Sequence, residues 1–559
     1  MWLEQLHKLH IIDAAANAMG HFIQKYSTVT SQSTSILCAL STQAIKNGHT
    51  CLDCKNIILQ FPELSQLPEL LTYIDLDYVL EHPLIGLNSL HENTLFTFAS
   101  PYLFTNKLFA LETILIHQIA SRLNSDPISD PSSTILQLAA LCFSKPLSIL
   151  SGGPGTGKTT VFAQAIPYWI QQFQSAYQKN PRIILCAPTG KAAARMSESW
   201  LLQNQNTVVE NNTPLDTGLP LQAFTIHRLL GINPLSRQAH FNQANHLAVD
   251  LLIIDEASML DLPLFVKLLE ACPMNAHILL IGDQQQLPAI EAGDILGSLL
   301  HTESEHWFFK NLQNAHLHLS HNFRQQDKPG LASIATDCLN QHADDVINKL
   351  RANEYANVSW SANTHENHLS LIHYATCKYK EMINCTNVEQ ALVNIHTFVI
   401  LTAVRDGPSG CVAINNEIMR LVNVQLQSYY HGQILLITEN ANHLNLANGD
   451  IVVIWQKGQS LMAYFNFNSV TLSIELDNLP RNEPAYALTI HKAQGSEYDE
   501  VVMVLPTYES PILNKSLIYT GITRAKNRLQ IFANPESLIF SLDNTSKRVN
   551  GLRLLAEIL

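Results

Sequence analysis

From about residue 135 the chain alternates short, unbroken apolar runs with longer stretches of helical periodicity. The runs are Leu147–Leu150, Ile183–Ala187, Leu251–Ile254, Ile278–Ile281, Phe398–Leu401 and Val501–Val504. A strand covered by helices on both faces has no polar side to present, so buried parallel strands read as continuous apolar segments of this length. The pattern predicts βα units wound into an α/β architecture, and its extent implies two lobes. Residues 425–480 break the rhythm with strand-like pieces (QILLIT, GDIVVIW, SVTLSIEL) separated by turn residues such as Asn448-Gly449-Asp450, which predicts a small β-barrel inserted in the second lobe. Ahead of residue 115, apolar positions at helical spacing, such as Leu70, Tyr73, Ile74 and Tyr78, are punctuated by Pro62, Pro68 and Pro83. They predict a mostly helical N-terminal domain. The polar stretch 124–133 (NSDPISDPSS) reads as a linker, and the polar stretch 204–220 as a loop or hairpin inserted in the first lobe. The predicted division is a helical domain over 1–115, a first lobe over 130–345 with an insert at 201–222, and a second lobe over 346–559 with the barrel at 425–480.

Composition changes this picture little, and charge complicates it. The 559 residues hold 34 Lys+Arg against 47 Asp+Glu, a net charge of -13, and only 14% are charged. Such a chain is neither disordered nor a disulfide scaffold. The acidic balance also argues against a nucleic-acid binder, whose usual mark is a basic excess. The N-terminus lacks a basic segment followed by an apolar core, and no run approaches ~18 apolar residues, so neither a signal peptide nor a membrane span is expected. The ten cysteines are scattered. Cys51 and Cys54 form a CxxC without a second pair at zinc spacing, which favours reduced thiols and a cytoplasmic location. His316 and His318 alternate as on one face of a strand.

The chemistry begins at GGPGTGKTT. Gly152, Gly153, Pro154, Gly155, Thr156 and Gly157 follow an apolar run and precede a helix-forming one. A glycine-rich loop in that setting turns backbone N–H groups onto a triphosphate, with the next helix's N-terminus supporting the negative charge. Lys158 would reach the β- and γ-phosphates, Thr159 would place its hydroxyl on Mg²⁺, and Thr160 completes the cradle for ATP. The partner site is LLIIDEAS. A carboxylate ending a buried strand is costly unless a cation compensates it. Asp255 would support Mg²⁺, and Glu256 would orient and deprotonate the attacking water.

Further motifs follow in order: APTGKAAARM from Ala187, TIHRLLG from Thr225, DEAS, GDQQQLP from Gly282, HNFR from His321, LTAVRDGPSG from Leu401, YALTIHKAQGSEYDE from Tyr486 and YTGITRAK from Tyr519. This ordered set resembles the superfamily 1 helicases of the 5′→3′ branch, and within them the RecD family. The likeness is strong over residues 135–535 and weaker at GHTCLDC in the N-terminal domain. It implies two RecA-like P-loop lobes. It implies an ATP-dependent helicase moving 5′→3′ on single-stranded DNA, as the motor of a RecBCD-type complex in double-strand-break repair. RecB-like and RecC-like partners would carry the nuclease and dock the N-terminal domain. A stand-alone helicase of the same branch is the alternative.

The resemblance also implies residue roles. Gln286 would sense the γ-phosphate or the water, and Arg324 and Arg524 would act as arginine fingers; for an isolated arginine a surface ion pair is the plainer reading. Pro188, Thr189, Gly190, Lys191, Thr225 and His227 would make one DNA track. Thr489, His491, Gln494, Gly495 and Ser496 would make the other. His227 and His491 read equally well as core histidines, and Glu497 as a residue that orients its motif. Gln137 is a candidate adenine contact, and the 204–220 insert a candidate strand-separating pin. A non-catalytic scaffold would be expected to have lost some of these groups. Phosphate tracks alone do not distinguish DNA from RNA.

Overall fold

The computed structural model describes residues 2–26, 32–91, 93–123, 133–206, 222–233, 236–300, 304–321, 329–340, 342–422, 428–467, 470–545 and 548–558. The linker residues 124–132, the insert residues 207–220 and Arg324 lie outside the described residues.

Six parallel strands form the sheet of the first lobe, in the order His316–Leu319, Leu147–Gly152, His277–Gly282, Leu251–Ile254, Ile183–Ala187 and Phe224–Thr225. Five parallel strands form the second, in the order Val358–Ser361, Ala525–Phe532, Tyr498–Val504, Phe398–Thr402 and Ala487–Thr489. Every apolar run noted in the sequence lies in one of these strands. The first sheet shows why the runs are unbroken. Leu150, Leu185, Ile253 and Ile281 pack on one face with Phe162, Trp169 and Trp200, while Ile149, Cys186, Ile254 and Leu280 pack on the other with Phe265 and Phe309. Alternate residues enter two different cores, so no position along the strand can be polar without cost.

The second lobe carries an antiparallel insert of five strands, in the order Val470–Glu475, Ser460–Phe467, Ile451–Lys457, Ile434–Ile437 and Asn482–Pro484. It has its own core of Leu435, Ile437, Val452, Ile454, Ala463, Phe465 and Ile474. Its Ala447–Asp450 turn, with Gly449 at φ +97°, approaches the first lobe so closely that a Cβ on Gly190 would stand 2.8 Å from that of Ala447.

The N-terminal region combines helices Trp2–Lys8, Ala14–Lys25 and Ser33–Lys46 with a four-stranded sheet, ordered Leu52–Asp53, Tyr102–Thr105, Phe96–Ala99 and Ile85–Leu87. Strands of two to four residues are too short to show period-2 alternation, which is why helical spacing alone was visible. The long helix Asn106–Leu123 then packs into the first lobe through Phe109, Leu115, Ile116, Ile119 and Leu123.

After the second lobe the chain returns to this helix. Leu552, Leu555 and Ala556 of the helix Leu552–Ile558 enter the same core. The approach is fixed by the GHTC loop. The Val549 N–H donates to His49 Nδ1 (2.9 Å), the Thr50 N–H donates to the Val549 carbonyl (3.0 Å), and the Gly293 N–H donates to the Gly48 carbonyl (3.0 Å). Burial and the nearby Arg548 charge push His49 down to about 4, so its ring is neutral and free to accept. Arg548 donates to the carbonyls of Glu291 (2.7 Å) and Gly293 (3.0 Å). The buried Glu112 carboxyl accepts from the Gly551 N–H (3.0 Å) and the Thr50 hydroxyl. Among the described residues no helix is long and apolar enough to cross a membrane.

Candidate active site

The glycine-rich loop joins the carboxyl end of the strand Leu147–Gly152 to the helix Lys158–Tyr177. Gly155 and Gly157 both adopt φ +79°, a left-handed conformation that costs glycine little and other residues more. The Thr156 hydroxyl donates to the Gly153 carbonyl (2.8 Å), closing the loop on itself. Lys158 Nζ donates to the carbonyls of Gly152 (2.7 Å) and Gly153 (3.0 Å), so the ammonium lies within the cradle. On the flanking strand His316 and His318 both reach the Ser151 hydroxyl, at 2.6 and 2.8 Å. Their alternation serves one strand face, as their spacing predicts.

Asp255 and Glu256 follow the strand Leu251–Ile254, next but one to the P-loop strand. Glu256 is left-handed (φ +53°) and its N–H donates to Asp255 Oδ1 (2.8 Å). Burial, and then the charge of Glu256, hold the Asp255 carboxyl above the usual carboxylate range; the Glu256 N–H and Lys158 oppose this only in part. The pair is thus short of positive charge. Among the described residues no three His, Cys, Asp or Glu side chains converge as a metal cage. A buried carboxylate that Lys158 only partly compensates suits a hard cation that keeps water and phosphate oxygens as its remaining ligands.

Across the cleft the second lobe supplies Arg524, fully buried at 2% exposure. Its guanidinium donates to Gln286 Oε1 (2.9 Å), the Thr520 carbonyl (3.1 Å), the Ser496 carbonyl (3.2 Å) and the Thr523 hydroxyl (3.2 Å). Burial pulls its pKa down, while Glu256 and Glu497 support its charge. Gln286 is also tied to its own lobe, because its amide donates to Asp283 Oδ2 (3.1 Å). The same oxygen accepts from Tyr519 of the second lobe (3.1 Å). Burial and that carboxylate raise the Tyr519 phenol, which therefore keeps its proton. A Cβ on Gly153 would lie 3.1 Å from the Tyr519 hydroxyl, so the P-loop, Asp283, Gln286 and the helix Lys515–Ile522 meet at one point.

The residues proposed for nucleic acid divide. Thr189 accepts from the Ala192 N–H, Thr225 from the Arg228 N–H and Thr489 from the Lys492 N–H, each at 3.3 Å. A threonine hydroxyl accepting at a helix start still has its own proton to give to a phosphate. Pro188 and Gly190 frame the start of the helix Gly190–Asn206. His491 is half-buried and His227 more exposed, and partial desolvation of each ring lowers both pKa values. The Gln494 amide also donates to the Leu287 carbonyl of the first lobe (3.0 Å), and the Ser496 carbonyl accepts from Arg524 within the second lobe. Gly495 is left-handed (φ +71°), and its carbonyl accepts from Arg195 (2.7 Å). Arg195 also pairs with Glu497 (3.0 Å), the position of a residue that orients its motif. Lys191 has its ammonium buried without a hydrogen-bond partner.

Residue-by-residue reading missed Asp283, Tyr519, Thr520 and Arg195. All four stand inside quoted motifs, but their roles depend on contacts between lobes, and no spacing within one motif encodes those.

Residues 137–292 match the AAA domain model and residues 484–531 the UvrD-like helicase C-terminal domain model. The chain is 30% identical over 470 residues to the RecBCD enzyme subunit RecD of Haemophilus influenzae, covering 75% of this chain and 71% of that one. The RecD subunit of Mycolicibacterium smegmatis aligns over 557 residues at 28% identity, covering 95% and 96%. The ATP-dependent RecD2 DNA helicase of Deinococcus radiodurans is 30% identical over 404 residues, 68% of this chain and 46% of that protein.

Proposed function

The chain belongs to the RecD family of superfamily 1 helicases, and from that membership we propose that it is the 5′→3′ motor subunit of a RecBCD-type helicase–nuclease. Its activity is ATP-dependent 5′→3′ DNA unwinding. RecB-like and RecC-like subunits would complete the complex, with the nuclease outside this chain and the region 1–115 docking a partner. The observation that carries the motor reading is the contact from Arg524 of the second lobe to Gln286 of the first (2.9 Å).

ATP would lie on residues 152–160, with Lys158 turned from its own loop carbonyls to the phosphates. Thr159 and Asp255 would hold Mg²⁺, which when bound spreads the phosphate charge. Glu256 would take the proton of the attacking water, Gln286 would orient that water, and Arg524, with Arg324, would compensate charge as the terminal phosphate leaves. Arg524 reaches the cleft only while the lobes are together, so hydrolysis is tied to their opening and closing. Two phosphate tracks, Pro188–Lys191 with Thr225 and His227, and Thr489–Ser496, would then alternate in holding one strand. The antiparallel insert, with its separate core, would close as a small barrel over that strand, and the 204–220 segment would divide the duplex.

The test compares wild type with Lys158→Gln. DNA-stimulated turnover is expected to fall at least about 100-fold, and wild type is expected to unwind duplexes with a 5′ but not a 3′ overhang. Unwinding only from 3′ overhangs, or unchanged turnover in the variant, would refute the reading. Full unwinding by the chain alone, with no RecB-like or RecC-like partner co-purifying, would support a stand-alone helicase, the reading that the likeness to RecD2 favours.

A further inference from the structure

Two cations of the second lobe, Arg405 and Lys492, stand just beyond the carboxyl ends of adjacent parallel strands, Phe398–Thr402 and Ala487–Thr489. That edge is where open α/β sheets receive their ligands. Both are bound to a single carboxylate, Glu483, on the edge strand Asn482–Pro484 of the insert. Arg405 grips it with two nitrogens (2.8 and 3.3 Å), and Lys492 pairs with Oε1. Glu483 is thus shared between two cations, and Arg405 feels the Asp406 charge as well. Thr489 lies three residues before Lys492, and its hydroxyl accepts from the Lys492 N–H.

The facing edge of the first lobe presents a cation too. The buried Lys191 ammonium has no hydrogen-bond partner. It lies against the insert turn, its Cε 3.9 Å from where a Cβ on Gly449 would be, and it feels the charges of Asp450, Arg195 and Lys492. Cations from both tracks therefore converge on one seam under the insert.

We propose that Glu483 is an internal competitor for the DNA backbone: it holds Arg405 and Lys492 until a phosphate of the strand displaces it. The inference rests on the helicase reading and assigns Arg405 and Lys492 as further phosphate contacts. The exchange is feasible because the Arg405 side chain is 51% exposed and that of Lys492 32%, and ion pairs this wet are weak. A phosphate offers the same bidentate geometry to the guanidinium as the carboxylate. Such a competitor weakens the grip on any single nucleotide, which a motor that must release the strand at each step requires.

The test is binding of fluorescein-labelled oligo-dT to the full chain, or to its assembled complex, across a KCl series. E483Q is expected to bind about fivefold tighter at low salt. Its plot of log K against log salt should steepen by about 0.7 for each phosphate newly contacted. In E483Q/K492Q the gain shrinks, because only Arg405 remains to be freed. If E483Q does not fold, E483D takes its place: it keeps the charge but cannot span both cations, and shows a smaller gain of the same sign. A folded variant with wild-type affinity and wild-type slope overturns the competitor role alone. Absence of DNA binding by wild type, alone and in the complex, overturns the helicase reading along with it.

Discussion

Arg524 and Glu112 are both buried charges at joints between separate parts of the chain, and they resolve burial in opposite ways. Arg524 joins the two lobes and keeps its charge, because a guanidinium does not lose its proton at accessible pH. It is held by an amide oxygen, a hydroxyl and two carbonyls, and supported by Glu256 and Glu497. Glu112 joins the N-terminal region to the returning C-terminal segment. Burial raises it to about 7, although the Thr50 hydroxyl and the Gly551 N–H oppose the shift. In the proposed mechanism the first joint needs a charge that outlasts burial, to meet a phosphoryl group. The second needs only a good acceptor, and there a carboxyl can give up its charge.

The largest effect expected from this contrast is at Arg524. Arg524→Lys keeps the charge but loses the fork that spans Gln286, Thr520 and Ser496. DNA-stimulated ATP turnover should fall by about 10³-fold, with little change in melting temperature; a variant within threefold of wild type, a span set well inside the expected fall, would refute the role.

Next is Glu112. Its folded pKa, about 7, lies above the ordinary glutamate value of 4.5. A carboxyl that holds its proton more tightly when folded contributes fully below the unfolded pKa and loses that contribution as pH rises through the folded one. Between pH 4.5 and 7 the loss is on the order of 3 kcal/mol. Glu112→Gln should therefore flatten the fall in stability between pH 5 and 8 measured for wild type by denaturant unfolding. Parallel curves for the two proteins would show that Glu112 stays ionised.

Smaller again is Gly551→Ala. The added Cβ would stand 2.3 Å from the Phe104 ring and 3.0 Å from Glu112 Oε2, which should destabilise the joint by about 2 kcal/mol while leaving turnover per folded molecule unchanged. The smallest is Thr50→Val, which removes one donor to Glu112 and should cost about 1 kcal/mol. Loss of turnover at constant fold in either variant would mean that the second joint acts on the first, which the contrast excludes.

The motor sheets were legible because a strand buried on both faces must be apolar throughout, and Leu147–Leu150 or Leu251–Ile254 admit no other reading once a glycine-rich loop or an acid pair follows. The candidate nucleotide residues were legible for a related reason. Phosphate binding constrains consecutive positions, such as Gly155, Gly157 and Lys158, so the whole device fits within one short segment. The N-terminal sheet was hidden, because its strands are too short for a period to show.

The sequence by itself determined the α/β lobes, the P-loop and the acid pair, since each depends on neighbours within a few residues. Only the tertiary structure decided that Gln286 is shared between Asp283 and Arg524, that Gln494 serves the joint between lobes, and that Glu483 holds Arg405 and Lys492. It also decided that the chain's last helix returns to the first lobe. Apart from Gln286 with Asp283, three residues apart, these pairings join positions 9 to more than 400 residues apart. Hydrogen bonds and ion pairs form wherever burial brings donor and acceptor together, and local pattern carries no record of which distant partner that will be.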